Sequence, residues 1–351
     1  SVGATGKIVS FLRPETCQSI FLDFARIYKT ARKTLPLGIA QSGASFRNEI
    51  APRNALIRER EIGQMEIEVF FNPKKINEIK NFDEVKDFKL NLFLLKSKKL
   101  EKVSCADAVS KKIVSGKLVA YCLARLQQFF EKIGVPNSAL RFRELEKEAR
   151  AFYARETWDF EVETDLGWIE LVACNYRADF DLTGHQKHSK TDLSIKEEGD
   201  AESFVPHVFE LSAGLDRSLF VLLDLAFRKE KRGPEERIFL DLNQKISPFF
   251  VSVFPLVKKD GLFEKAHEVF SELNLGVFDV FFDEKGSIGK RYARVDELGC
   301  PYAITVDYDS LKDESVTLRE RNSLAQKRVK IKGLFDTLLN LFLEKTRFEK
   351  L

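Results

Sequence analysis

Four arginines and three glutamates lie in one stretch of 17 residues, SFRNEIAPRNALIRERE (45–61), between two apolar, strand-like runs. Arg47 and Glu49 are two residues apart, as are Arg58 and Arg60, so in extended strands each pair faces one side. Arginine side chains fork onto phosphate oxygens, and grouped carboxylates can hold an ammonium group. The stretch therefore favours a site for phosphate and ammonium groups. The alternative is a two-faced strand with hydrated charges.

Isolated polar residues also interrupt apolar runs further along the chain. Glu170 lies in GWIELVA and Arg177 in NYRADFDL. Glu210, Ser212 and Arg217 lie in FELSAGLDRS, in the same register. Arginines for phosphate and carboxylates for an ammonium are the groups that a site for ATP and an amino acid requires.

A metal site is the weaker interpretation of the remaining ligand-type residues. His185 and His188 in HQKH are three residues apart, but no clear third ligand is nearby, so surface histidines are the better interpretation. The five cysteines are scattered and form no CxxC pair, which argues against a zinc site or a disulfide framework. A reducing, cytoplasmic location is therefore expected.

Strands of a sheet must position these residues. The segment 45–61 joins two strand-like runs, and CQSIFLDFARIY before it has the pattern of a short helix. Residues 167–181 again have strand character, and FVPHVFELSAGLDRSLFVLLDLAF predicts strand, turn and buried helix. Residues 73–164 are rich in lysine and contain a long helical pattern, DAVSKKIVSGKLVAYCLARLQQFFEKIG. We therefore expect a helical insertion within a domain that spans residues 1–237.

The second half of the chain has a different pattern. RKEKRGPEER (228–237) predicts a charged Gly-Pro hinge. Beyond it strand and helix patterns alternate, so residues 238–351 are predicted to form a compact α/β domain with some parallel strands. A chain of 351 residues is long enough for two such domains.

Composition excludes several other classes of protein. A hydrophobic fraction of 44% with 32% charged residues is typical of a globular protein and not of a disordered one. The net charge of +3 does not by itself indicate a nucleic-acid-binding protein, so any such surface must be a local patch. No run of 18 apolar residues occurs, so no membrane span is expected.

Six blocks of the sequence resemble the glycyl-tRNA synthetases of the archaeal and eukaryotic homodimeric type, which are class II aminoacyl-tRNA synthetases. In order they are LRPETCQSIFLDF, FRNEIAPRNALIREREIGQMEIE, GWIELVACNYRADFDLTGH, ELSAGLDRS, GSIGKRYARVDELGCPY and VTLRERNS, and the resemblance extends from about residue 8 to the C terminus. FRNE and the loop after it are similar to the second class II signature, and GLDR is similar to the third. The first signature, which the family uses for its dimer interface, is expected upstream of Ser1.

The resemblance implies an α+β fold. A class II antiparallel sheet flanked by helices, with the helical insertion, is followed by a C-terminal α/β anticodon-binding domain. The implied reaction is ATP-dependent activation of glycine to glycyl-adenylate and transfer to the 3′ end of tRNA(Gly), with ATP and Mg²⁺, in a homodimeric cytoplasmic enzyme. The alternative is a synthetase-like accessory or nucleic-acid-binding protein without the chemistry. The presence of all the charged site residues argues against that alternative.

The resemblance also implies a role for each matching residue. Arg47 is expected at the α-phosphate and Arg58 at the outer phosphates. The implied ATP site consists of Arg47, Asn48, Glu49, Ile57, Arg58, Ile62, Glu170, Leu171, Gly214 and Arg217, with Arg47 and Arg217 catalytic and Glu170 a Mg²⁺ ligand. The implied site for glycine and its adenylate consists of Glu15, Glu66, Arg177, Glu210 and Ser212. The implied tRNA contacts are Tyr292, Arg294, Arg319 and Arg321.

Five positions depart from the family pattern. Ile62 stands where the family has a phenylalanine stacked on adenine. Leu211 and Ala213 replace a proline and a phenylalanine, and Cys17 and Ser19 replace an alanine and a glycine. Because the charged residues are present and only apolar supports differ, we expect an active site with weaker ATP binding.

The C-terminal segment 319–332, RERNSLAQKRVKIK, carries six basic residues and one acidic residue. In KRVKIK the alternation puts Val329 and Ile331 on one face and basic side chains on the other. One interpretation is an RNA-contacting surface. The other is an edge strand that its lysines protect from pairing with another chain.

Overall fold

The computed structural model describes residues 10–199, 201–232 and 235–351. The chain divides into an N-terminal unit, which extends to Val221, and a C-terminal unit, which begins at Leu222. No helix in these described ranges is both long and apolar enough to span a membrane.

The N-terminal unit is built on one sheet of eight strands. They are β1 (Leu37–Phe46), β2 (Glu61–Phe71), β3 (Lys89–Leu94), β4 (Lys99–Ser104), β5 (Leu140–Glu144), β6 (Glu156–Thr164), β7 (Gly167–Ala178) and β8 (His207–Gly214). Their order in the sheet is β1-β2-β8-β7-β6-β5-β3-β4. All neighbours are antiparallel except β3 and β5. Strand β8 thus lies between β2 and β7, although it follows both in sequence.

Five helices accompany the sheet: α1 (Gln18–Thr30), α2 (Cys105–Ser110), α3 (Lys117–Lys132), α4 (Phe180–Ser189) and α5 (Leu215–Ala226). Helix α1 packs through its buried Phe21 and Phe24, and the Phe24 ring stacks on Phe70 of β2 with centroids 4.0 Å apart. This packing fixes the residues just before α1 beside the sheet.

In β2 the charged side chains of Glu66 and Glu68 are buried and the apolar ones beside them are partly exposed, which is the reverse of a strand with hydrated charges. Its fully buried side chains include Gln64, Glu66 and Glu68, whereas Met65 and Ile67 are half-buried. Carboxylates are seldom buried unless they are paired or functional. The polar face of β2 therefore points into the interior of the unit, where the candidate site lies.

The predicted helical insertion, 73–164, contains α2 and α3, and it also contributes β3, β4, β5 and β6 to the main sheet. Some of its charges are paired across strands: Arg141 of β5 donates to Glu161 of β6 at 2.7 Å. Cross-strand pairs of opposite charge stabilise a sheet, so a charged segment can be a strand.

The C-terminal unit contains an antiparallel pair of strands, β9 (Phe227–Arg232) and β10 (Glu235–Leu240). This pair of strands occupies the segment predicted as a hinge, and opposite charges face each other across it, with Lys229 Nζ 2.9 Å from a Glu236 oxygen. Gly233 and Pro234 of that prediction lie outside the described residues. The domain boundary expected after residue 237 stays a prediction.

A mixed sheet forms the centre of the C-terminal unit. Its strands are β11 (Val251–Pro255), β12 (Val280–Phe282), β13 (Tyr302–Val306), β14 (Ser315–Glu320) and β15 (Gln326–Lys330), and its helices are α6 (Leu262–Leu273), α7 (Ile288–Glu297), α8 (Ser310–Asp313) and α9 (Leu334–Phe342). The order is β12-β11-β13-β14-β15, with β11 parallel to both of its neighbours. The predicted α/β fold with some parallel strands is therefore confirmed.

Candidate active site

A cavity of about 300 Å³ lies in the N-terminal unit, bordered by the polar residues of β2, β7 and β8 and by the loop between β1 and β2. The predicted residues that line it are Glu15, Arg47, Glu49, Ile57, Arg58, Ile62, Glu66, Glu170, Leu171, Glu210, Ser212, Gly214 and Arg217. Among the described residues of the predicted ATP and glycine sites, only Asn48 and Arg177 do not line it. The structure thus brings together residues from four separate stretches of the sequence, 15, 47–66, 170–171 and 210–217.

The loop between β1 and β2 forms the arginine-rich end of the cavity. Its base is closed by a hydrogen bond from the Arg47 amide to the Arg60 carbonyl, at 2.9 Å. The Arg47 guanidinium donates from Nε to the carbonyl of Pro14, at 3.2 Å. Arg58 pairs with Glu49, with 3.0 Å between Nε and Oε1. The hydrogen bond between Arg47 and Arg60 therefore holds the two ends of the loop together, and charged side chains of the loop line the cavity.

Arg217 ties this loop to the centre of the sheet. It lies in the first turn of α5, directly after β8. Its Nε donates to the carbonyl of Ile57 at 3.0 Å, and one terminal nitrogen donates to the carbonyl of Glu170 at 3.2 Å. The guanidinium, half-exposed, lies 3.8 Å from the Glu170 carboxylate. This end therefore holds three arginines, Arg47, Arg58 and Arg217, together with the carboxylates of Glu49, Glu59 and Glu170.

Glu66 forms the opposite, acidic end and is held by donors on both oxygens. Oε2 accepts the Thr16 amide at 2.8 Å and the Thr16 hydroxyl at 2.5 Å. Oε1 accepts Gln64 Nε2 at 2.8 Å and the Ser212 hydroxyl at 3.1 Å. Hydrogen bonds to the charged form of a buried carboxyl stabilise its charge.

Glu210 lies next to Glu66 and is paired with Arg177. Glu210 Oε1 is 2.5 Å from an Arg177 terminal nitrogen, and Oε2 accepts from Asn175 Nδ2 at 2.7 Å. Arg177 also pairs with both oxygens of Asp181, at 2.7 and 2.8 Å. Burial raises the pKa of Glu210 to about 7, against the opposing charge of Arg177. Arg177 is itself almost fully buried, so it fixes Glu210 from below the cavity instead of facing a substrate.

Glu68 is a buried acid that the sequence analysis did not assign to the site. It lies directly opposite Glu210 in the pairing of β2 with β8 and has no exposed surface. In the described part of the chain neither of its carboxylate oxygens has a hydrogen-bond partner. Burial, and then the charge of Glu210, raise the pKa of Glu68 well above its ordinary value. The structure therefore favours a protonated Glu68 beside an ionisable Glu210.

Several uncharged or aromatic residues of the site were also missed. Gln64, Tyr153, Thr157 and Asn175 line the cavity. Gln64 is two residues from Glu66, so strand alternation would have placed it on the same face, and the same argument identifies Glu68. Tyr153 carries no such signal because it lies in the loop between β5 and β6.

The two histidines of HQKH do not form a ligand cluster. His185 is hydrogen-bonded to Gln18, with 2.8 Å between Nε2 and Oε1. In the described ranges, the groups with ligand atoms within 4.8 Å of one another are Glu15–Cys17–Glu66 and Cys17–Glu68–Glu210. Burial raises the pKa of the Cys17 thiol, which keeps it neutral in the metal-free protein.

The predicted tRNA contacts of Arg319 and Arg321 are corrected by the structure. Arg319 is 6% exposed and donates to both oxygens of Asp296, at 2.9 and 2.8 Å. Arg321 is 4% exposed and pairs with Asp241 at 2.9 Å. Guanidiniums that are buried and paired in this way cannot reach an RNA base, so they stabilise the C-terminal unit.

Tyr292 and Arg294, the other two predicted tRNA contacts, lie on α7 and are partly exposed. The Tyr292 hydroxyl is 2.6 Å from Thr305 Oγ1, and Arg294 Nε donates to Asp283 at 2.9 Å. Their contact with tRNA stays a prediction. Strand β15, by contrast, is the edge strand expected from KRVKIK, and Val329 packs against the core.

Comparison with known proteins agrees with this geometry. Residues 9–226 match the class II core domain of the tRNA synthetases for G, H, P, S and T, and residues 251–341 match the anticodon binding domain. The glycine–tRNA ligase of Methanothrix thermoacetophila is 33% identical over 97% of this chain and 72% of the relative. Those of Pyrococcus furiosus and Methanocaldococcus jannaschii are each 34% identical, over 92% and 96% of this chain and 70% and 73% of the relatives.

These matches extend over both units and include every cavity segment described above. They include the loop that carries Arg47 and the turn that carries Arg217, the two segments that resemble the second and third class II signatures. The chain belongs to the glycine–tRNA ligase family of class II aminoacyl-tRNA synthetases, which attach glycine to tRNA(Gly).

Proposed function

We propose that the cavity of the N-terminal unit activates glycine with ATP. A glycine carboxylate oxygen attacks the α-phosphorus, the bond from that phosphorus to the bridging oxygen breaks, and pyrophosphate leaves. The observation that carries this proposal is the polarity of the cavity. Arg47, Arg58 and Arg217 line one cavity with Glu66 and Glu210. Arg217 contacts Ile57 and Glu170, whereas Glu66 contacts Thr16 and Ser212.

Arg47 and Arg217 are the proposed catalytic residues. Charge develops on the α-phosphate and the leaving pyrophosphate during the displacement, and pre-positioned guanidiniums stabilise it without reorganisation of water. Arg217 is pre-positioned by its bonds to Ile57 and Glu170. Arg58 is paired with Glu49 through Nε and Oε1. The terminal nitrogens of Arg58 are proposed to bind the outer phosphates, and Glu49 is proposed to accept from the adenine amino group.

The remaining proposed ATP contacts are mainly apolar or backbone contacts, from Asn48, Ile57, Ile62, Leu171 and Gly214. An aliphatic Ile62 covers an adenine ring without the aromatic stacking that a phenylalanine would add. Glu170 is the proposed Mg²⁺ ligand. Its side chain is 42% exposed in the cavity, and an exposed carboxylate oxygen is a ligand that Mg²⁺ prefers. When bound, Mg²⁺ would neutralise phosphate charge.

The acidic end is the proposed glycine site. Glu66 and Glu210, with Glu15 and Ser212, lie where they can surround the glycine ammonium group, and Arg177 holds Glu210 in place. Carboxylates attract a small cation strongly in a pocket with little water. Glycine has no side chain to bind, so selectivity against larger amino acids rests on steric exclusion of a Cβ atom.

Transfer of glycine to tRNA(Gly) is the proposed second step, with Tyr292 and Arg294 as anticodon contacts and a homodimer as the active form. What supports the anticodon role is the match of residues 251–341 to an anticodon binding domain. The partial exposure of both side chains on α7 is consistent with it.

Glycine-dependent ATP–pyrophosphate exchange tests the first step. Glu66→Gln keeps the shape of the side chain but removes the charge that faces the ammonium group. We expect the Michaelis constant for glycine to rise at least about tenfold while that for ATP changes little, since one charge-assisted hydrogen bond contributes about 1.5–3 kcal/mol.

Glu61→Gln is the matched control, because Glu61 lies on the same strand but is exposed and outside the cavity. It should leave both constants unchanged. An equal effect of Glu66→Gln on glycine and ATP would contradict the assignment of the acidic end, and a parent protein without exchange would contradict the activation step itself.

A further inference from the structure

Three aromatic rings form a cluster at the rim of the cavity. Phe152 and Tyr153 lie in the loop 145–155 between β5 and β6, and Phe180 begins α4. The Phe152 ring packs edge-on against Tyr153 and Phe180, with centroids 5.2 and 5.4 Å apart. Tyr153 lines the cavity. The cluster therefore extends from the wall of the site to the protein surface.

The outer members of the cluster are unusually exposed. Phe152 is 87% exposed and Phe180 is 47% exposed. Tyr153 is less exposed than these two rings, and the Arg177 guanidinium lies 4.0 Å from its ring centroid. Exposed aromatic rings on a firmly held base gain free energy when a flat apolar partner covers them. Nothing in catalysis of adenylate formation uses Phe152 or Phe180.

The loop that carries Phe152 is fixed at both ends by one side chain. Arg150 donates from Nε to the Leu145 carbonyl at 2.9 Å and from a terminal nitrogen to the Arg155 carbonyl at 2.7 Å. The Arg155 amide donates to the Tyr176 carbonyl of β7 at 2.8 Å. Because its ends are held together and to the sheet, the loop presents Phe152 in a defined position.

Basic side chains lie on the other side of the same loop. A second cavity of about 530 Å³ is bordered by Lys112, Arg150 and Arg155 together with Glu144 and Glu156, and Thr157 lines both cavities. The Arg155 side chain is 59% exposed, with its Asp179 partner 3.9 Å away. Sites for single-stranded nucleic acid combine aromatic rings that stack on bases with cations that follow the backbone.

We propose that the exposed Phe152 ring, supported edge-on by Phe180, is the platform on which the terminal adenine base of the tRNA 3′ end stacks while Arg155 faces its phosphate backbone. The inference rests on the proposed function, since the terminal ribose must reach an adenylate in the cavity that Tyr153 lines. Stacking of the adenine base on Phe152 positions the terminal ribose at the cavity, and Phe152 itself contacts neither glycine nor ATP. Phe152 is therefore a binding residue for the transfer step alone.

The test uses the full chain and tRNA(Gly) whose terminal adenine is replaced by 2-aminopurine, which loses fluorescence when it stacks. Binding to the parent protein should quench the probe, and Phe152→Ala should remove most of that quenching. The tRNA concentration for half-maximal charging should rise about tenfold in Phe152→Ala, as expected for one base–aromatic contact. Glycine-dependent exchange should stay within about twofold of the parent. Phe152→Trp should restore both quenching and charging.

Phe129→Ala is the matched control. Phe129 lies on α3, is 51% exposed and does not line the cavity. It should behave as the parent does in all three assays.

Three results would overturn the proposal. Unchanged quenching and charging in Phe152→Ala would show that the base binds elsewhere. An equal loss of exchange and charging would assign the loop to the adenylate step. A shift from dimer to monomer in sedimentation of Phe152→Ala would make the rings an interface between two copies. A parent protein that lacks exchange would instead contradict the proposed function.

Discussion

Arg47 of the N-terminal unit and Arg319 of the C-terminal unit have different partners for their charge. In the N-terminal unit, no carboxylate among the described residues lies within ion-pair distance of Arg47, and its Nε donates to a backbone carbonyl. In the C-terminal unit, Arg319 is buried and both terminal nitrogens donate to Asp296. The first arrangement leaves a positive charge for a ligand, and the second uses the charge to hold the fold. The residue type is the same, and the partners decide the role.

The largest effect is expected on stability, when Arg319 is substituted. Arg319→Ala leaves Asp296 buried with one cationic partner fewer, so the free energy of unfolding should fall by about 3–5 kcal/mol. Glycine-dependent exchange at low temperature should persist, because the proposed activation site lies wholly in the N-terminal unit. Urea unfolding followed by circular dichroism measures the loss. Lys312→Ala, which removes an exposed pair with Asp309, should change stability by less than about 1 kcal/mol.

Arg47→Ala should show the opposite profile. Stability should change little, whereas exchange should fall on the order of a hundredfold, equivalent to about 3 kcal/mol for the loss of one preorganised donor. Arg26→Ala on α1 is the control, because Arg26 is exposed and pairs only locally with Asp23. Exchange within about threefold of the parent would place Arg47 outside the reaction. A large loss of stability would make it another structural arginine.

A smaller effect should appear in the pH dependence of glycine binding. Because the pKa of Glu210 is raised to about 7, raising the pH from 6 to 8 ionises it and adds a negative charge beside the ammonium group. The Michaelis constant for glycine in exchange should therefore fall about tenfold over that range. Glu210→Gln should flatten the profile. A flat profile in the parent would show that Glu210 is charged throughout.

Stability of the ligand-free protein should change in the opposite direction. The folded state binds the Glu210 proton more tightly than the unfolded state, whose pKa is near 4.5. The free energy of unfolding should consequently fall as the pH rises from about 4.5 to 7. Glu68, whose pKa is also raised by burial, adds to the same trend. Urea unfolding at pH 5 and at pH 7.5 measures the difference.

The sequence predicted the family, the fold class and the residues around the cavity better than it predicted their partners. Arg47, Glu66 and Arg217 lie in short motifs, and the sheet brings them to one cavity. Arg319 also lies in a family motif, but its Asp296 partner comes from α7, and spacing along one strand carries no information about a facing helix. The same limit applies to β5, whose charges are paired with those of a neighbouring strand.

Glu68 illustrates a different limit. Alternation along β2 placed it on the same face as Glu66 but did not show which face is buried. That depends on α1, which packs on this face at Phe70, and on β8, which places Glu210 opposite Glu68. The pKa of a buried carboxyl such as Glu68 therefore depends on residues that are distant in the sequence and become neighbours only in the assembled sheet.

The position of β8 between β2 and β7 has a consequence for synthesis of the chain on the ribosome. Strand β2 ends at Phe71 and its partner β8 begins at His207, so β2 leaves the ribosome long before that partner exists. Until then, the hydrogen-bonding edges that later pair with β8 are open on both β2 and β7, and open edges can pair with other chains. The nascent chain is thus most exposed to aggregation between translation of the second and third class II signatures. Glu66 and Glu68 on β2 then act as charged protection during that interval, before they become part of the site.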